Sequence, residues 1–347
     1  MKIGVVGCGY WGSKHLRVLR AMRDVTGVVA IDASEQRLAE AQRLMTDVTC
    51  ARSLDEVVHD LDGVVVATPP RTHVELASAA IEAGTAVLVE KPLATSARDA
   101  RMLVEESVAR SVPLMVGHTF EHNAAVWKLR ELVDEDDLGH LYYVDSARLN
   151  LGLYQSDVNV VWDLAPHDIS IFNYVLRARP TWVQAWAARH AHHFLEDVAY
   201  LRLYYEDANV TANIHVSWLD PCKVRRVTLV GSRKMAVYND LASEERVRVF
   251  DKGVLESTDA NVQAMPMSYR YGEIRSPYLN FEEPLSVQDG EFLACIRDGS
   301  RRGTNADAGL AVVETLECAE ISLHEGRQVA LEEVSEQHVQ LWQTTAP

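Results

Sequence analysis

The sequence predicts an α/β protein: an N-terminal doubly wound parallel sheet, then a C-terminal α+β domain built on a large, open, mainly antiparallel sheet. Three observations predict it. Over the first third, short apolar strands alternate with amphipathic helices, the order of a parallel sheet covered on both faces. After about residue 120, period-two runs separated by turn residues take over, the order of an antiparallel meander. The first strand also runs directly into Gly7, Gly9 and Gly12 at the spacing GxGxxG, and a helical pattern follows at once. The length of 347 residues suits two domains. They are expected at residues 1–120 and 121–335.

In order, strands are expected at Lys2–Val6, Val28–Ile31, Gly63–Ala67, Ala86–Val89 and Leu114–Val116. Between them, helices are expected near His15–Met22, Glu35–Leu44, Leu54–Val58, His73–Ala83 and Ala97–Arg110. The second domain has alternating runs at Leu141–Asn150, Thr181–His190, Ala199–Tyr205, Val210–Trp218, Val224–Val230, Lys234–Tyr238 and Arg246–Phe250. A helix at His167–Leu176 interrupts them and another closes the chain at Ala308–His324, while Thr258–Glu283 reads as a polar connector.

The glycine run has the chemistry of a dinucleotide cradle. Gly7 permits a tight turn, Gly9 lets backbone approach a pyrophosphate, and Gly12 lets helix pack on strand. Amides at the helix start then face the phosphates, aided by the helix dipole. Tyr10 and Trp11, between the second and third glycines, belong to the same cofactor-binding set. Asp32 ends the second apolar run about twenty residues on, where an acid accepts from the ribose hydroxyls. Its charge would repel a 2′-phosphate, so NAD is expected rather than NADP, although Arg37 on the next helix is within reach of such a phosphate.

Carboxylates outnumber lysine plus arginine, giving a net charge of −16, and no basic stripe stands out. A nucleic-acid partner is therefore not expected. No apolar run is long enough to span a bilayer. The chain opens on its first strand without a leader pattern, and its five cysteines are scattered with no CxxC. A cytoplasmic protein with reduced thiols is expected.

Three further loops hold unusual polar sets. The strand before Ala67-Thr68-Pro69-Pro70 leads to Thr72 and His73 at a helix start. Thr68, Pro69 and His73 are placed by a cofactor there, with Thr72 as a plain helix cap an equal alternative. Next, Glu90-Lys91-Pro92 follows a buried strand, so Glu90 and Lys91 are expected in the cofactor-binding set with Lys91 pointing into the crevice, unless the two merely pair with each other. In the second domain, Trp162-Asp163-Leu164-Ala165-Pro166-His167-Asp168 puts Pro166 in a helical first turn. His167 would then lie at a helix N-terminus, which disfavours imidazolium and leaves a neutral base.

Taken together, GxGxxGxxH (Gly7, Gly9, Gly12, His15), the Ala-Thr-Pro loop with His73, Glu90-Lys91-Pro92 and Asp163-x-x-x-His167 resemble the Gfo/Idh/MocA family. The resemblance runs to about residue 330. It implies an N-terminal Rossmann domain and a C-terminal sheet that makes homodimers or homotetramers. It also implies NAD(P)-linked oxidation or reduction of a sugar or polyol hydroxyl, with Lys91, Asp163 and His167 in the catalytic positions. Gly117-His118-Thr119-Phe120 and the segment from Asp157 to Trp162 resemble a branch that handles modified or nucleotide-linked sugars. Glu121-His122 departs from the Arg-Phe of many members.

Those residue types suit the chemistry. His167 would take the hydroxyl proton, Lys91 would stabilise developing alkoxide, and Asp163 would bind a neighbouring hydroxyl and orient His167. Arg148, Asn150 and Tyr154 precede this segment as substrate-pocket candidates, with a surface role equally open. His190, His192 and His193 near Glu196 and Asp197 lack the ligand pattern of a metal site, so none is expected. Trp182 and Trp186 share a strand face and read as a subunit contact. A redox-neutral NAD-using glycosidase, eliminase or epimerase would need the same residues; a non-enzymatic nucleotide-sensing regulator on the same fold would be expected to lack the lysine or histidine, and Lys91 and His167 are both present.

Overall fold

The computed structural model describes residues 1–152, 158–191, 193–255, 268–299 and 306–334. The chain divides into two compact units: Met1–His122 with Glu282–Glu317, and Asn123–Phe281 with Cys318–Glu336.

In the first unit, β1 (Lys2–Val6), α1 (Tyr10–Ala21), β2 (Gly27–Ile31), α2 (Glu35–Leu44) and β3 (Thr49–Ala51) are followed by β4 (Gly63–Val66), α3 (His73–Glu82), β5 (Ala86–Glu90), α4 (Ala97–Arg110) and β6 (Leu114–Gly117). All six strands are parallel, in the order β3-β2-β1-β4-β5-β6. Apolar runs such as Val64-Val65-Val66 and Val87-Leu88-Val89 are fully buried, as helices on both faces require. The Ser34 and Ser96 hydroxyls accept amide hydrogens at the starts of α2 and α4. Strand order reverses between β1 and β4, so the crevice for a ligand opens at their carboxyl ends.

The second unit begins with α5 (Ala124–Asp134), β7 (Leu141–Leu151) and α6 (Val160–Leu176). It continues through β8 (Trp182–Ala188), β9 (Val198–Tyr205), β10 (Val210–Ser217), β11 (Leu219–Gly231), β12 (Met235–Asn239), β13 (Val247–Leu255) and β14 (Ser268–Arg275). Farther along the chain come α7 (Pro284–Asp298), which belongs to the first unit, α8 (Ala306–Glu325), whose residues up to Glu317 belong to the first unit, and β15 (Val329–Ala330) of the second. The nine-stranded sheet runs β14-β13-β12-β11-β7-β10-β9-β8-β15, and its β7–β10 pair is parallel among otherwise antiparallel neighbours. Helix α6 packs on β7, β9 and β10, and α5 on β12 and β13, which explains the alternation along β9. Leu201, Leu203 and Tyr205 are buried, while Tyr200 and Arg202 face outward.

Several expectations change. Leu54–Val58 forms no helix; a single 3₁₀ turn at Val58–Asp60 bridges the short gap to β4, and the unanticipated β3 precedes it. Helix α6 starts at Val160 because the Asn159 side chain accepts from the amides of Val161 and Trp162 at 3.1 and 3.2 Å. Pro166 is therefore inside the helix, not in its first turn. The expected connector contains β14, and α7 follows it directly. Residues 282–317, assigned by sequence to the second domain, belong to the first unit, because Phe292 and Leu293 of α7 join Ile3, Val5, Leu16 and Leu19 in its core.

Candidate active site

The three glycines of the first unit differ in what they do. Gly7 has φ +90°, and a β-carbon there would lie 2.7 Å from the Ala67 carbonyl oxygen, on the loop after β4. A β-carbon on Gly12 would come within 1.7 Å of the Gly7 carbonyl oxygen. A β-carbon on Gly9 would meet nothing within 4 Å. The turn itself thus requires Gly7 and Gly12, while Gly9 leaves backbone open to an approaching phosphate. Tyr10 and Trp11 stand exposed on the first turn of α1, and Lys14 lies over the Tyr10 ring.

Asp32 sits at the end of β2, almost wholly buried. Its Oδ2 accepts the Cys8 amide at 2.8 Å and its Oδ1 the Ser34 amide at 2.9 Å, with Arg37 at 3.6 Å. Each oxygen keeps acceptor capacity for a ribose hydroxyl. Burial, then the Asp32 charge, pushes the Cys8 thiol up to about 12, so it is no nucleophile at neutral pH. These features fit a bound dinucleotide: amides at the turn and α1 would hold the pyrophosphate, and Asp32 the adenosine ribose.

The loops after β4 and β5 are tied together by His73. Its Nδ1 lies 2.8 Å from the Pro92 carbonyl and its Nε2 2.9 Å from that of Thr68. Burial lowers its pKa against the pull of both carbonyls. Its ring is wholly buried and engaged with backbone, so it shapes the crevice wall. Thr72 makes no side-chain cap; its hydroxyl donates to Pro69 O at 2.8 Å and shares a 2.7 Å hydrogen bond with the Thr68 hydroxyl, which can be the donor there. Pro69 is exposed beside it.

Lys91 leaves the carboxyl end of β5, one strand beyond the crevice strands, and is half-buried. Its amide donates to Glu90 Oε2 at 3.2 Å. Glu90 itself is buried, with Oε1 3.1 Å from His15 Nε2. Opposite, His15 Nδ1 lies 3.0 and 3.1 Å from the two carboxylate oxygens of Asp289 on α7. Burial alone would lower the His15 pKa, but the charges and hydrogen bonds of Asp289 and Glu90 outweigh it and raise it to about 10. Asp289 escaped the sequence reading. At the end of β6, burial drives His118 down to about 4, and neither ring nitrogen has a hydrogen-bond partner among the described residues.

In the second unit, Asp163 and His167 lie one turn apart on the same flank of α6, both half-buried. The Trp218 indole donates to Asp163 Oδ2 at 3.0 Å. His167 is the eighth residue of the helix, so a dipole effect confined to the first turn does not reach it. The helix-dipole ground for expecting a neutral imidazole therefore does not apply at His167. Pro166 has no amide for the Trp162 carbonyl, one turn below.

Arg148 on β7 is buried and forms a two-pronged pair with Asp168, Nε to Oδ2 and Nη2 to Oδ1, both at 3.0 Å. This pair fastens α6 to the sheet right beside His167. Asn150 is half-buried on the same strand face, and Tyr154 lies outside the described residues, as does His192. The acids near His190 are engaged otherwise. Asp197 accepts the amides of His190 and Ala191, and Glu196 bonds Arg189 and Asn159. Among the described residues, no group of three or more His, Cys, Asp or Glu could hold a metal, and no helix is long and apolar enough to cross a membrane.

The family profile described as "oxidoreductase family, NAD-binding Rossmann fold" matches residues 1–118, and the "GFO/IDH/MocA C-terminal domain" matches residues 126–237. The chain belongs to the Gfo/Idh/MocA family. Among Gfo/Idh/MocA relatives, it is 29% identical over 188 residues to UDP-N-acetylglucosamine 3-dehydrogenase of Acidithiobacillus ferrooxidans, covering 53% of this chain and 57% of that protein. It is 32% identical over 184 residues to inositol 2-dehydrogenase 2 of Saccharopolyspora erythraea, covering 51% and 54%. The chain thus spans little more than half the length of these two relatives. A crystal structure of GenD2 from gentamicin A biosynthesis, in complex with NAD, matches with a TM-score of 0.79 at 26% identity, covering 95% of this chain and 96% of that one.

Proposed function

We propose that this protein transfers a hydride between NAD and a secondary hydroxyl of a sugar, nucleotide-linked sugar or cyclitol. One observation carries the reading: a dinucleotide cradle at the β1/β4 crevice has Lys91 at the carboxyl end of the neighbouring strand β5. The relatives named above, which act on a nucleotide sugar and on inositol, support the substrate class.

When bound, NAD supplies the two-electron acceptor. The Lys91 ammonium hydrogen-bonds the reacting oxygen and stabilises negative charge as it develops. His167, as neutral imidazole, takes the hydroxyl proton in oxidation and returns it in reduction. Asp163, held by the Trp218 indole, accepts from a neighbouring hydroxyl and keeps the substrate in register. Arg148 supports this arrangement by holding α6 through Asp168.

The protein assembles through the outer face of the nine-stranded sheet. Trp186, Tyr200 and His215 form a ladder across β8, β9 and β10, with Tyr200 stacked on His215 at 4.1 Å between ring centroids. Trp182 stacks on Tyr204 beside it. Trp186 and Tyr200 are about half exposed in the single chain, which suits a second copy.

Purified protein, NAD and a panel of polyols, free sugars and nucleotide sugars test the activity by absorbance of the reduced nicotinamide. Accumulating reduced cofactor with one substrate group supports the reading. Product formed with no net cofactor reduction overturns it in favour of redox-neutral chemistry.

A further inference from the structure

We propose that Asp289 is a positioning residue for Lys91, acting through the buried chain Asp289–His15–Glu90. The inference rests on the reading of Lys91 given above. Three ionisable side chains from α7, α1 and β5 meet inside the apolar core that holds Leu16, Leu19 and Phe292, and His15 and Asp289 have no exposed surface. Burying such a set is a poor route to stability, since well-packed apolar side chains often serve as well or better. Its geometry instead leads to the crevice. Asp289 grips His15 with both oxygens, His15 holds Glu90 Oε1, and Glu90 Oε2 receives the Lys91 amide. On its far side Glu90 is walled by Gly117, where a β-carbon would sit 3.2 Å from the Glu90 carboxyl carbon. The carboxylate therefore has little freedom, and neither has the start of the Lys91 segment.

The charges of the cluster act along the same chain. His15 faces Asp289 and Glu90; Glu90 also feels Lys91, His73 and His118; Asp289 also feels Arg17 and Glu90. The charges and hydrogen bonds of both carboxylates outweigh burial and hold His15 above the usual imidazole range, at about 10, while burial raises Asp289 against the pull of His15. Burial would raise Glu90, but the hydrogen bond and charge of His15 more than offset it, so Glu90 remains an anion. Replacing Asp289 by Asn removes the stronger carboxylate and leaves burial to act, so the His15 pKa falls. Raising pH through that lower value deprotonates His15, and Glu90 loses the cation that fixes it.

The test uses the full chain labelled with ¹⁵N-histidine, with ring-nitrogen shifts and steady-state turnover followed against pH. In the unmodified protein His15 is expected to be doubly protonated at pH 8. In Asp289→Asn it should be neutral there, with turnover down on the order of ten- to a hundredfold, as a misplacement of about 1 Å produces. A new alkaline fall in turnover should follow the His15 titration, NAD affinity should hold, and Asp289→Glu should restore most of the rate. A neutral His15 at pH 8 in the unmodified protein overturns the proposal without any variant. So does an Asp289→Asn protein with neutral His15 and an unchanged pH–rate profile. Lys91→Ala separates the two claims. If it is inactive while Asp289→Asn is unimpaired, the positioning role alone falls; if it is fully active, the role of Lys91 falls and the positioning claim with it.

Discussion

The Asp32 carboxylate accepts the Cys8 amide at 2.8 Å, so the acid that ends β2 is fastened to the glycine turn that ends β1. Its other oxygen accepts the Ser34 amide at the start of α2. The acid expected to discriminate between NAD and NADP is therefore also a brace for the glycine turn.

That double role shapes the cofactor prediction. NAD should bind much more tightly than NADP, because a 2′-phosphate would face the Asp32 charge at close range. Asp32→Asn keeps an oxygen for the Cys8 amide and removes the charge, so it should narrow the gap. Asp32→Ala also frees both amides and should weaken either cofactor. Calorimetry showing tighter NADP binding by the unmodified protein contradicts this.

The Arg148–Asp168 pair makes a stability prediction. Asp168→Ala leaves a buried guanidinium without its carboxylate and should destabilise the protein by ~3–5 kcal/mol in chemical denaturation. The double change Arg148→Met with Asp168→Leu should recover most of that loss, because it removes both charges. Failure of the double variant to recover would mean that Arg148 has a second essential contact.

Assembly is predicted through the aromatic ladder. The protein should scatter light as a dimer or larger at micromolar concentration, and Trp186→Glu with Tyr200→Glu should reduce it to a monomer that keeps its circular dichroism. A monomeric unmodified protein contradicts the proposed interface.

Local signals made much of the first unit legible. Strand, glycines, helix and terminal acid follow one another within Lys2 to Asp32, and the fold keeps that order. Helix α6 was harder to read. Pro166 imitates a first-turn proline, whereas the true cap, Asn159, lies seven residues earlier and takes its effect from two amide hydrogen bonds. Asp289 was invisible because His15, its partner, is 274 positions away, and nothing in the sequence near α7 marks a return to the first unit. Asp168 stood next to His167 in the motif, yet its role depends on an arginine from another strand. Periodicity reports faces and ends of elements; it does not report which buried acid meets which buried base.

The proposal that Lys91 and His167 act on one reacting hydroxyl is tested by reduced-nicotinamide formation in Lys91→Ala and His167→Ala with a substrate found in the screen. Each variant should lose about 10²–10⁴ in turnover while NAD affinity stays near that of the unmodified protein. Lys91→Arg should fail to rescue, since a planar guanidinium does not replace a compact ammonium. Near-normal turnover in both alanine variants would contradict the mechanism, and would leave the dinucleotide site standing on Gly7, Gly9, Gly12 and Asp32.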